Sequence, residues 1–414
     1  MKPFLLVKKE IEQYPWQAPI NDISFQNLSL EITNACTNQC AHCGVFSQGS
    51  PTQELSLDTV SQLLDQAAAQ GMRSISLWGG EPFLHPAVFE IIEYAIKKGL
   101  SVHITTNGFW AQTKATADQV FETLSSINNT RQITLTLSCD YFHQSQPLTP
   151  VQNIANILTA CLTKYPVFSN ITINYLNLVY DPTKQQLEER LLQEKTVPAD
   201  IVRSFMNNAK HWVKHSLDIH SGRAIALPKN IRNSGNISVS TLYSNQSLSA
   251  MQKHPCLLIN STGSACLIEN LVGEDIFPIG NIYKDTLTTI IKNINHDQFL
   301  VFLGALPLKY FIFPFRKYVD LAAICHESHS LREALNCLFR KEQTDFDQTD
   351  LLNTAREQLR QPARDPEFVH SNLKIIEQYG DITDRPLLSM LMNSQNYSEQ
   401  LKQYMRTLEL LYLK

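Results

Sequence analysis

Cys36, Cys40 and Cys43, in the run EITNACTNQCAHCG, carry the first chemical signal in this chain. With nine cysteines in 414 residues, such a CxxxCxxC spacing arises by chance about 0.004 times per chain. Zinc is one candidate occupant, but structural zinc sites want four protein ligands in paired short spacings, and no nearby fourth cysteine completes one. An iron–sulfur cube is the other, because three thiolates on a [4Fe–4S] cluster leave one iron open to an outside ligand. Further along, Gly79 and Gly80 precede Glu81 and Pro82. Paired glycines let a backbone approach a ligand closely, and a carboxylate can accept from an ammonium. Thr105, Thr106, Asn107 and Gly108 follow, then Ser138, Cys139 and Asp140. Residue by residue, the first of these two runs also suits an ordinary polar turn between a strand and a helix.

Such groups need a scaffold that brings them together. From residue 28 onward, short β-rich runs alternate with longer amphipathic segments, which predicts βα units around a parallel sheet. Strands are expected at 28–33, 74–78, 101–106, 132–138 and 170–178, and helices at 57–69, 87–98, 117–126, 151–162 and 184–193. A sixth unit would pair a helical 201–212 with an apolar-alternating 213–219. Each chemical run directly follows one of the first four strands, and βα barrels place active sites at strand C-terminal ends. A polar segment rich in Asn and Ser at 230–245 marks a junction. The expected organisation is an N-terminal extension (1–27), a partial barrel (28–229), a second module (230–340) and a helical C-terminal region (341–414). In that last region Leu401, Tyr404, Met405, Leu408 and Leu411 recur at helical spacing, as a stripe packed on the body would.

The triplet after the first strand, with GGEP about one βα unit later, resembles the signature of the radical S-adenosylmethionine (SAM) superfamily. The resemblance covers roughly residues 28–227. It implies an α/β fold, a partial (β/α)6 barrel, with a [4Fe–4S] cluster on Cys36, Cys40 and Cys43 and SAM on the open iron. It places Gly79, Gly80, Glu81 and Pro82 at the methionine amino group, Thr106 and Asn107 close to SAM, and Ser138 and Asp140 at methionine or ribose hydroxyls. His42 falls where the family often sets an aromatic ring against adenine; shielding of the cluster is its other role. The implied activity is reductive cleavage of SAM, with an electron from a flavodoxin or ferredoxin. The 5′-deoxyadenosyl radical so formed abstracts a substrate hydrogen.

Gly222, Arg223 and Ala224, then Cys256, Gly263 and Cys266, and finally residues 279–282 resemble radical SAM enzymes with a C-terminal twitch or SPASM extension. Those extensions bind auxiliary clusters. Here Ser328 stands where a second cysteine would follow Cys325, which limits the module to at most one auxiliary [4Fe–4S] cluster. Its ligands would be Cys256, Cys266, Cys325 and Cys337, or three of these with an open iron. A cluster-free cap with buried cysteines is the alternative. Cys139 and Cys161 read as core thiols, with a hydrogen-atom donor as the other reading of Cys139 at its strand's end, and His85, His103, His143, His326 and His329 show no metal-ligand spacing.

A net charge of −4 with no long run of Lys or Arg points away from nucleic acid or an anionic membrane as the main partner. The apolar 299–313 segment contains Pro307 and Lys309 and falls short of the ~20 residues that cross a bilayer. The N-terminal apolar stretch is too short for a signal peptide, so a cytoplasmic location is expected. Two substrate classes stay open. One is a ribosomally made peptide or natural-product intermediate, which would need a separate peptide-recognition protein or the C-terminal helices, since 27 residues precede the barrel. The other is a small metabolite such as an amino sugar, dehydrogenated or epimerised. A non-catalytic Fe–S or SAM-binding scaffold is the rival outside enzymes.

Overall fold

The computed structural model of the chain describes residues 24–45, 47, 53–176, 178–215, 223, 227, 231, 256–266, 279–296, 373, 377, 388 and 399–412. Six strands pair in parallel in chain order: β1 (Asn27–Thr33), β2 (Ser74–Gly79), β3 (Ser101–Thr106), β4 (Ile133–Ser138), β5 (Thr172–Leu176) and β6 (Trp212–His215). Between them run α1 (Leu57–Ala69), α2 (Val88–Lys97), α3 (Lys114–Ser126), the single-turn α4 (Tyr141–Gln144), α5 (Val151–Thr163), α6 (Thr183–Glu194) and α7 (Ala199–Asn207). The sheet is open: β6 and β1 are not paired to each other, as a partial barrel requires.

Alternation along the strands separates two faces. Leu28, Leu30, Ile32, Ile75, Leu77, Val102, Ile104, Leu135 and Leu137 are all buried, as are Val60, Leu64, Ile91, Phe121, Ile154 and Leu158 on the helices. Each such side chain contributes ~1.5–3 kcal/mol on burial. The opposite face carries polar residues, and Ser29, Ser76, His103 and Thr134 stand in one register row across β1 to β4.

Element boundaries follow local chemistry. Ser56 caps α1 by accepting from Thr59 N, and Thr113 with Thr116 forms a capping box that starts α3 at Lys114, three residues before the expected 117. The expected helix 201–212 stops at Asn207 instead. Asn208 leaves helical geometry and its side chain accepts from Lys210 N, which leads through a 3-10 turn into β6 at Trp212. Residues 216–219 of the expected strand lie outside the described residues.

On the far side of β1 the sheet continues. β7 (Cys256–Ile259) pairs with β1 in parallel, and β8 (Ser264–Cys266) and β9 (Gly280–Asn281) follow antiparallel. Helix α8 (Leu287–His296) begins against α1, where Leu287 N donates to Gln66 Oε1 at 2.7 Å and Gln70 Nε2 to Thr288 Oγ1 at 2.8 Å. Residues 25–234 and 256–290 form one compact unit; residues 1–24, 235–255 and 291–414 form another. Within the second, α9 (Glu399–Tyr412) buries Met405 and Leu408, Tyr404 donates to Glu377 at 2.6 Å, and Leu411 is exposed, so the apolar stripe is narrower than its sequence spacing implied. No helix among the described residues is long and apolar enough to cross a membrane.

Candidate functional site

The cysteine loop starts where β1 ends. Ala35 N donates to Thr33 Oγ1 at 3.1 Å, and Cys43 N turns back to Cys40 O at 3.1 Å. Cys36, Cys40 and Cys43 line a single cavity of about 200 Å³. Asn38 N and Asn107 Nδ2 point at Cys36 Sγ at 3.4 and 3.7 Å, and Asn38 is itself anchored by Nδ2 donating to Thr149 Oγ1 at 2.8 Å. Burial pushes the Cys36 thiol up to about 11 and raises Cys40 as well; Arg223 is among the groups that pull Cys36 back down. These thiols therefore hold their protons until a metal ion displaces them.

Gly79 and Gly80 line the same cavity, and their lack of side chains has a second cause beyond approach to a ligand. A Cβ on Gly80 would stand 1.9 Å from Ala35 O, and one on Gly79, at φ +144°, 2.2 Å from Thr33 O. Gly80 N and Glu81 N donate to Thr33 O and Ala35 O at 2.8 and 2.7 Å. The glycine pair thus presses the end of β2 against the backbone that launches the cysteines. Pro82 is buried behind it and opens a 3-10 turn.

Glu81 is fully buried and serves the cavity wall from behind. Its Oε1 accepts from Thr106 Oγ1 at 2.9 Å and Phe83 N at 3.1 Å, and its Oε2 from Asn107 N at 2.7 Å. A carboxylate offers about four acceptor positions, so one remains. Burial raises Glu81 to about 7, against the opposing pull of these donors. Asn107 then carries the contact forward, its Nδ2 reaching Thr37 Oγ1 at 3.2 Å as well as Cys36. Thr106, Asn107 and Ser138 all line the cavity.

Asp140 caps α4, its Oδ1 accepting from Phe142 N and His143 N at 3.0 and 3.1 Å, while Oδ2 takes His143 Nδ1 at 2.7 Å. Burial opposes its ionisation, yet His143 and His42 hold it below the usual carboxylate range, and His143 is raised in turn by Asp140 against its own burial. His42 is lowered to about 4, foremost by burial. Its ring stacks on Phe142 with centroids 4.9 Å apart. His42 Nδ1 and Trp78 Nε1 are buried with no hydrogen-bond partner, although both residues line the cavity. Orphaned polar atoms on a cavity wall fit a polar ligand. Cys40, His42 and His143 also hold ligand atoms within 4.8 Å of one another.

The structure thus brings Cys36, Cys40, Cys43, His42, Gly79, Gly80, Thr106, Asn107 and Ser138 to one cavity, with Glu81, Pro82 and Asp140 just behind its wall. Asn38 and Ser47 also line it; neither belongs to a motif, and no spacing signal marks them. Arg223, inside the expected barrel span though its Gly222–Ala224 run resembles enzymes with a C-terminal extension, and His143, which lacks metal spacing, line it too. Cys256 and Cys266 lie elsewhere, in β7 and β8, with Cys256 Sγ donating to Asn27 Oδ1 at 3.1 Å. Cys325 and Cys337 lie outside the described residues.

Residues 30–164 match the sequence model of the radical SAM superfamily. The chain is 38% identical over 82 residues to an AdoMet-dependent heme synthase of Methanosarcina barkeri, covering 20% of this chain and 24% of that protein. It is 28% identical over 171 residues to a putative peptide biosynthesis protein, YydG, of Bacillus subtilis, covering 41% and 50%. The chain therefore spans 24% and 50% of the length of these two curated relatives. Among solved structures, it is similar to Streptococcus suis SuiB bound to its precursor peptide SuiA, with a TM-score of 0.48, 14% identity, and 73% and 74% of the two chains covered.

Proposed function

We propose, from the premise that this chain carries a radical SAM domain at residues 30–164, that it is an enzyme that modifies a ribosomally made peptide or a related natural-product intermediate. The observation that carries the enzymatic part is the convergence of three thiols from one loop on a cavity walled by Gly79, Gly80, Asn107 and Ser138. Cys36, Cys40 and Cys43 would hold the [4Fe–4S] cluster. Gly79 and Gly80, with His42, Thr106, Asn107 and Ser138, would hold SAM, supported from behind by Glu81, Pro82 and Asp140. When bound, cluster and SAM supply a one-electron cleavage whose radical product takes a hydrogen atom from the substrate, the electron coming from a flavodoxin or ferredoxin.

The chain's own residues position and shield. Glu81 fixes Asn107 through its main-chain N–H, and Asn107 meets the cysteine loop at Cys36 and Thr37. Asp140 locks the His143 ring, and Phe142 covers one face of His42. Selectivity of a primary carbon radical rests on such placement and on keeping water out.

The peptide assignment is supported by the 171-residue match to YydG, named a putative peptide biosynthesis protein. Its test is incubation of reduced enzyme and SAM with candidate short precursor peptides encoded beside the gene, read by mass spectrometry. A SAM-dependent mass change on one peptide is expected. Turnover of a small metabolite with every peptide left unmodified would overturn it. An auxiliary cluster on Cys256 and Cys266 with Cys325 and Cys337 belongs to the same proposal, and iron counting tests it.

A further inference from the structure

Arg223 lies 180 positions beyond the cysteine loop and yet is bonded to it at three points. Its main-chain N–H donates to Cys43 O at 2.9 Å, its Nε to Cys40 O at 3.0 Å and its Nη1 to Ser47 O at 2.8 Å. Cys40 O already accepts from Cys43 N, so the guanidinium closes over the turn that sets two of the three cysteines. The side chain reaches from beyond the sixth strand to a loop after the first. Among the described residues lining the cavity, Arg223 is the one with a permanent positive charge.

That charge faces a site built to concentrate negative charge. Three thiolates on a cluster leave it net negative, and reduction adds one electron more. The potential of such a cluster follows net charge, hydrogen bonding and exposure, and a fixed cation beside it favours the reduced form. A planar guanidinium meets two separate carbonyls at once, which an ammonium on a flexible stem cannot reproduce.

We infer that Arg223 is a positioning residue for the cluster: its main chain and guanidinium hold the loop from Cys40 to Ser47 in shape, and its charge draws the reduction potential upward. The inference rests on the proposal that Cys36, Cys40 and Cys43 hold a [4Fe–4S] cluster. The couple concerned is the addition of one electron to the oxidised cluster, supplied in the test by titanium(III) citrate.

The experiment uses the full chain, reconstituted anaerobically with iron and sulfide, as wild type, Arg223→Gln and Arg223→Lys. Iron content, the potential by electron paramagnetic resonance titration and the rate of iron loss to a chelator are measured. Arg223→Gln is expected to shift the reduction equilibrium about tenfold toward the oxidised form, ~59 mV for a one-electron couple, and to speed iron loss about tenfold, as loss of a charged hydrogen bond would. Arg223→Lys should keep the wild-type potential and lose iron as fast as the Gln variant. Variants that match wild type in both potential and iron loss would overturn the inference. If Arg223→Gln fails to fold, wild-type iron retention in Arg223→Lys overturns the clamp on its own. A wild-type chain that holds no iron would instead sink the cluster proposal, and the inference with it.

Discussion

Cys36, Cys40 and Cys43 lie in a loop beyond the end of β1, whereas Cys256 and Cys266 lie inside paired strands of the same sheet. The loop cysteines face groups delivered by separate segments: Gly79 and Gly80 at the end of β2, Asn107 after β3, His143 after β4 and Arg223 after β6. The strand cysteines are placed by pairing. Cys256 stands opposite Asn27 and Cys266 opposite Leu258, so the two share a sheet face as diagonal neighbours. A site assembled from many loops tolerates changes of chemistry at one position but not of backbone approach. A pair held by strands answers to the sheet.

The largest effect expected from breaking this contrast comes from Gly80→Val. Its Cβ would collide with Ala35 O, whose carbonyl is part of the backbone leading to Cys36. A stability loss of ~1–3 kcal/mol from overpacking should accompany collapse of iron content after reconstitution, both read on one sample by chemical denaturation and iron assay. Full iron content in that variant would separate the glycine pair from the cysteine loop.

Next comes Glu81→Gln, which puts an amide in place of a carboxylate that accepts three hydrogen bonds. Losing bonds to a charged acceptor costs ~1.5–3 kcal/mol, or about 10- to 150-fold if carried into SAM affinity. Equilibrium dialysis against SAM should show weaker binding at unchanged iron content, because the carboxylate meets the cysteine loop through Asn107, while the main-chain bond from Glu81 N to Ala35 O is kept.

Glu31 joins the two regions, its Oε2 accepting from Ser261 N in the turn between β7 and β8 at 3.0 Å. Burial raises it from 4.5 to about 6. A raised carboxyl means that the folded chain binds the proton more tightly than the unfolded one, so this contribution is complete below about pH 4.5 and is lost as pH rises through about 6. The amount at stake is ~2 kcal/mol. Glu31→Gln keeps an acceptor for Ser261 and removes the titration. Urea unfolding at about pH 5 and about pH 7.5 should therefore show the variant gaining on wild type at the higher value.

The smallest effect on SAM cleavage is expected from Cys256→Ser and Cys266→Ser. Turnover to 5′-deoxyadenosine should stay within about threefold of wild type, well under the factor that 1 kcal/mol would give. An auxiliary cluster would show itself in iron alone, with about four irons retained when Cys36, Cys40 and Cys43 are all replaced.

What could be read from sequence follows the same division. Apart from the single-turn α4, the strands and helices through residue 178 are legible because their apolar periods are long and clean, and the cysteine triplet because a loop motif keeps its spacing in one stretch of chain. Glu81 was legible as a residue but not in its bonding, since hydrogen bonds to Thr106 and Asn107 depend on how β2 and β3 end side by side. Arg223 falls inside the expected barrel span, but its place at the cysteine loop is not legible, because a contact across 180 residues leaves no periodic trace. Asn38 and Ser47 gave no signal, being common polar loop residues. β7 was missed as a neighbour of β1 because four residues, CLLI, read equally as a strand or as buried helix.

Cleavage of SAM by the variant with Cys36, Cys40 and Cys43 all changed to Ala tests the central claim most directly. Wild type and variant are reconstituted anaerobically, reduced with dithionite in the presence of SAM, and assayed for 5′-deoxyadenosine. The wild-type chain should form 5′-deoxyadenosine and the variant none, with its fold intact by circular dichroism. Equal product from a variant stripped of all three cysteines would contradict the account.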